Sequence, residues 1–120
     1  MIKFTLFTLM FFTLSVWGKT CRGIDQEITA TQHEINMITI PEIAYTPDEY
    51  NCSLVSPTLQ ATYEIETHLT QLLKLYQTYY FECGRHTDVI YMIEDTKINI
   101  ILMQTLTSLT KNLDEKCLSN

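Results

Sequence analysis

Turn-forming residues are scarce in this chain, with three glycines and three prolines in 120 residues. A β-sandwich needs a turn signal roughly every 8–12 residues, so the scarcity argues against an all-β sandwich. Motifs of catalysis are missing as well. There is no GxSxG elbow, no HExxH pair and no glycine-rich phosphate loop. His33, His68 and His86 fall on separate segments, without a matched acid nearby. No CxxC pair exists, which argues against a zinc site. No enzyme activity, metal or cofactor is expected. A basic surplus is lacking too, because the net charge is −6. That disfavours nucleic acid and anionic membranes as partners. It suits a basic protein surface, or plain solubility.

The chain does have a long apolar run at its start. Residues 1–18 carry one early cation, Lys3, then no further charge, and end at Gly18 with Val16 two before it. This is the pattern of a secretory signal cleaved after Gly18. The stretch from Phe4 to Trp17 is short of the roughly 20 residues of a spanning helix. The expected domain is 19–120, secreted, extracellular and not inserted in a membrane. Losing Lys3 takes its charge from −6 to −7.

A single small domain of this length gains from covalent staples. Cys21, Cys52, Cys83 and Cys117 are an even set, and oxidising conditions favour two disulfides. Four cysteines allow three connectivities, and the sequence does not choose among them.

Helical periodicity covers most of the rest. Ile24, Ile28, Thr31, Ile35 and Ile38 recur at steps of three and four. This first helix should end before Pro41. Residues 41–57 read as a crossing connection, with a weak edge strand at 40–45 and a turn at 47–49. Ser56 suits a cap with Pro57 at the first helical position. A helix then runs to Cys83, with Leu69, Leu72, Tyr76 and Tyr80 as its apolar stripe, widened by Leu73 and Tyr79. A break near 63–67 would split it in two. Gly84 is a natural stop. The last helix starts at Val89 or Asp95 and carries Ile98, Leu102, Leu106, Leu109 and Leu113 inward. Asn51-Cys52-Ser53 matches the N-glycosylation acceptor pattern, so Asn51 is a glycan candidate.

Several short segments are shared in order with one family. Cys21 followed by Gln26-Glu27-Ile28, Asp95-Thr96-Lys97-Ile98 opening an apolar helix, and the closing Glu115-Lys116-Cys117 resemble the interleukin-4/interleukin-13 family. The resemblance covers the two ends and the cysteine framework. It implies a short-chain four-helix cytokine bundle, all-α and up-up-down-down. Only about thirty residues separate the connection from Cys83, so the second helix must be short, fused with the third, or missing. The resemblance also implies pairing of Cys21 with Cys117 and of Cys52 with Cys83.

By the same resemblance the protein is a monomeric secreted cytokine. It would bring together type I receptor chains on immune cells, an interleukin-4 receptor α-like chain and a second one. Glu27 matches the glutamate that anchors the first receptor chain, and Glu34 lies two turns on. Lys74 is the cation available on the long helix. On the last helix, Lys111 matches a basic position six residues before the terminal cysteine, on the side turned to the second chain, and Thr107 shares its face four residues earlier. The family's tyrosine near the terminal cysteine is Asp114 here. A neighbouring possibility is the interleukin-3, interleukin-5 and granulocyte-macrophage factor group. Outside cytokines, the alternatives are a helical defence peptide and a carrier of apolar ligands.

Overall fold

The computed structural model describes residues 20–119, which form four α-helices. The segment read as a signal lies outside them. Thr20 caps the first helix, α1 (Cys21–Asn36), accepting from the Gly23 amide at 3.1 Å. As expected, α1 stops short of Pro41, and Ile24, Ile28 and Thr31 are buried along it. Residues 37–48 follow without a strand. The Asp48 side chain then caps the single short helix α2 (Glu49–Ser53), accepting from the Asn51 amide at 2.7 Å.

Only Leu54 separates α2 from α3 (Val55–Glu82), so the short second helix runs almost into the third. The expected Ser56 cap is not used. The helix begins before it, at Val55, and Leu54 offers no side-chain bond. Pro57 sits harmlessly in the first turn, where an amide has no partner to lose. No break occurs at 63–67. Gly84, at φ +115°, ends the run, and α4 (Thr87–Ser119) begins after only two more residues. That start is earlier than either expected position.

α3 is the central helix, with α1 packed on one flank and α4 on the other. The core joins Ile24 and Ile28 to Ile65, Leu69, Leu72 and Tyr76 of α3 and Ile93 of α4. Each such buried aliphatic contributes about 1.5–3 kcal/mol.

Three expectations need correction. First, the long helices alternate in direction. Along α1, Cys21, Gln32 and Glu34 meet Cys83, Tyr76 and His68 in turn, so α1 and α3 are antiparallel. Thr62 meets Thr107 and Glu66 meets Gln104, so α3 and α4 are antiparallel as well. A tight loop at Gly84 reverses the chain, whereas an up-up-down-down order needs a long crossover there. Second, the disulfides are Cys21–Cys83 and Cys52–Cys117. Cys21 opens α1 beside the end of α3, while Cys117 lies near the far end of α4. The pairing of chain ends is therefore out of reach, since α4 alone spans about 50 Å.

Third, α4 is turned over relative to its expected face. Thr96, Thr107 and Thr110 face inward, against a side of α3 that holds buried Thr58 and Thr62. Ile98 and Leu102 are more than half exposed, and Leu109 is 42% exposed. Among the expected stripe only Leu113 is fully buried. The threonine hydroxyls of α4 bond to their own helix, Thr96 donating to the Met92 carbonyl and Thr110 to that of Leu106, whereas the buried Thr58 hydroxyl of α3 has no partner. Hydroxyls bonded in this way are tolerated at a close helix seam.

Candidate functional site

The sequence-expected residues fall on two surfaces and one buried seam. Glu27 is half-buried beside the inward stripe of α1, and Glu34 is exposed two turns on. Glu34 reaches across to α3, where its carboxylate lies 3.3 Å from Nδ1 of His68, without hydrogen-bond alignment. α1 thus presents two carboxylates, the second of them beside an imidazole of α3.

Lys74 and Lys111 belong to a different surface, on the outer side of α3 and α4. The Lys111 ammonium sits 5.5 Å from the Tyr63 ring centre, a cation–π arrangement. Hydrogen bonding and then charge from Tyr63 push its pKa up, and Glu66 adds to the shift. Glu66 is held by Gln104, whose amide donates to it at 3.1 Å. Lys74 shares a shallow depression with Glu66. Tyr63, Glu66 and Gln104 carry no motif of their own. The spacing that would reveal them runs between helices rather than along one.

Thr107 belongs to neither surface. It is 7% exposed, and its hydroxyl lies 2.9 Å from the Met103 carbonyl and 3.0 Å from the Thr62 hydroxyl. Its expected receptor role is corrected to a packing role, because α4 turns that side inward. Asn51 is corrected likewise, being 4% exposed. Its amide nitrogen, the atom a glycan would take, donates to the Thr46 carbonyl, the Thr46 hydroxyl and the Asp48 carboxylate at 3.0–3.1 Å. Its side-chain oxygen accepts from the Ala44 amide at 3.1 Å. A glycan there would displace the bonds that close the turn.

The sequence also missed a groove of about 250 Å³ over α3, between α1 and the start of α4. Ile28 and Val89 supply apolar walls, and Asp25 and Asp88 stand in its lining. Tyr76 lies at its base, its hydroxyl accepting from the Gln32 amide at 2.5 Å. Burial pushes the Tyr76 pKa above its usual 10.0, the Gln32 bond pulls it back, and the Asp95 charge raises it further. The lining contains carboxylates and no cation. Such a groove suits a basic or hydroxylated side chain of a partner better than an anion.

Among the described residues no group of histidines, cysteines and acids is placed to hold a metal. No helix there is long and apolar enough to cross a membrane. Two disulfides fit an oxidising compartment. Comparison with protein-family models, with curated proteins and with solved structures finds no match.

Proposed function

We propose that this chain is a secreted signalling ligand. It acts by binding, with type I cytokine receptor chains as its partners and the interleukin-4/interleukin-13 family as its nearest likeness. The observation that carries the reading is the division of the surface. α1 offers Glu27 and Glu34, with His68 of α3 beside Glu34, while Lys74 and Lys111 lie on the outer side of α3 and α4. Two surfaces of different charge on one bundle suit two different receptor chains. The alternating helix order departs from the family's. The resemblance therefore supports the receptor class.

Glu27 is the anchor in this reading. A partly buried carboxylate at the centre of an interface accepts charge-assisted bonds, and such centres lose 2 kcal/mol or more on truncation, an order of magnitude typical of hot spots. The carrier alternative gains little from the groove, whose volume of about 250 Å³ falls below the range typical of small-molecule sites.

The test is biosensor binding of the disulfide-intact chain to type I receptor ectodomains. Capture by an interleukin-4 receptor α-type chain, weakened at least tenfold in Glu27→Lys, is the expected result. Lys111→Glu should weaken only the second chain. Binding confined to the common-β receptors would move the protein to the interleukin-3 and interleukin-5 group. A folded, helical sample that binds none of them overturns the reading.

A further inference from the structure

α4 is apolar on its outer side as well as its inner one. Its inward side mixes Thr96, Thr107 and Thr110 with Ile93, Ile100, Met103 and Leu113, while Ile98, Ile101, Leu102 and Leu109 keep 42–60% of their surface in water. From Ile98 to Thr110 the helix carries no charge at all, on a chain of net −6. Hydrophobic burial would favour the opposite rotation if α4 had only α3 to pack against. A helix that is apolar on its outer side is expected to be covered there as well.

The spacing of charges along that side singles out the cover. Thr105 lies at its middle. Glu94 stands eleven residues before it and Lys116 eleven residues after, and all three are exposed. Eleven residues make about three turns, so the three share one face. A second copy laid antiparallel over Thr105 brings Ile101 against Leu109 of its partner. Ile98 meets Asn112, and Glu94 meets Lys116 at both ends. Lys97, which now pairs with Glu94 at 3.5 Å, comes level with the turn that carries the partner's Glu115. Asp95 lies on the other flank, facing the turn of the partner's Leu113. An acid and a base at equal distances from the centre of a helix complement each other in this antiparallel orientation.

We infer that the chain forms a two-fold homodimer through the outer side of α4, with Thr105 on the axis. The interface is isologous, as a two-fold pair requires. With Tyr91 and the small polar residues between, the apolar side chains offer on the order of 600 Å² per copy, the lower bound of specific interfaces. Thr105 and Ser108 at the centre let the backbones approach closely. The pairing departs from the monomer that the resemblance implies; it uses the face of α4 around Thr105, whereas Lys111 lies on the flank over Tyr63 of α3, and it is measured without any receptor.

Sedimentation equilibrium of the disulfide-intact chain between about 1 and 100 μM tests it, at concentrations that bracket weak to moderate affinity. A mass that rises to the dimer is expected. Ile101→Lys, at a position already 60% exposed, should leave helicity intact and abolish the dimer. Glu94→Lys and Lys116→Glu should each weaken it several-fold at low salt, and the double exchange should restore it. Monomer at every concentration overturns the proposal. So does a dimer that ignores Ile101→Lys, or a charge exchange that fails to restore the pair.

Discussion

Thr62 of α3 and Thr107 of α4 face each other with their hydroxyls 3.0 Å apart, and both are shut away from water. Each hydroxyl also reaches a carbonyl of its own helix, Leu59 for Thr62 and Met103 for Thr107. The seam between the two longest helices is therefore polar in chemistry: Thr62 and Thr107 are bonded to each other and to their own helices, while the buried Thr58 hydroxyl beside them has no partner.

That arrangement predicts a contrast between two substitutions. Replacing both partners, in Thr62→Val with Thr107→Val, removes donor and acceptor together and should change stability by less than about 1 kcal/mol. Thr107→Lys should cost about 3 kcal/mol or more, because it buries an unpaired charge. Urea denaturation of the three proteins gives both numbers. A loss above about 2 kcal/mol in the double valine variant would mean that the hydroxyl pair itself holds the seam.

Asn51 is the pivot of the turn that enters α2. Its side chain binds Ala44, Thr46 and Asp48 at once. Asn51→Ala should destabilise the fold by about 2–3 kcal/mol, since it strands buried partners. The intact mass of the secreted protein should show no glycan. A glycosylated chain with unchanged melting would mean that the turn does not need the amide.

The buried Tyr76 hydroxyl predicts a response to alkali. Its pKa is raised in the folded chain, chiefly by burial, so the folded state holds its proton more tightly than the unfolded one. The stabilisation is complete below the unfolded value of 10.0 and is lost as pH climbs from there through the folded value. Stability followed by denaturation above that pH should fall less steeply in Tyr76→Phe than in the parent. Equal slopes would place the alkaline sensitivity elsewhere.

Parts of this fold were legible in the chain. The isoleucine stripe of α1 and the Leu69, Leu72, Tyr76 stripe of α3 follow from spacing alone, because each helix has one clearly apolar side. Gly84 marks a stop that only a residue free of a Cβ penalty makes easily. The orientation of α4 was not legible. Both sides of that helix offer a run of uncharged residues at helical spacing, and threonine is an unusual residue for the inside. The cysteine pairing was hidden for a related reason. It follows from helix direction, and direction is set by the short loop at Gly84 together with packing between helices distant in sequence. Of the candidate site residues, Lys111 gained a partner in Tyr63, while Thr107 and Asn51 went inward. Motif matching sees the residue type and not the side of the helix on which it falls.

Because one disulfide joins positions 21 and 83 and the other 52 and 117, the bridges cross rather than nest. Crossing has a consequence for a protein exposed to proteases. The two bridges divide the chain into three stretches, 21–52, 52–83 and 83–117. A cut in any one stretch leaves every piece covalently attached, and a cut in each of any two stretches still leaves a single molecule. Nested bridges would release a fragment once the two outer stretches were severed. Nicks in the exposed 37–48 connection and in the loop at Gly84 would thus leave α1, α3 and α4 tied together, and only reduction would let them part.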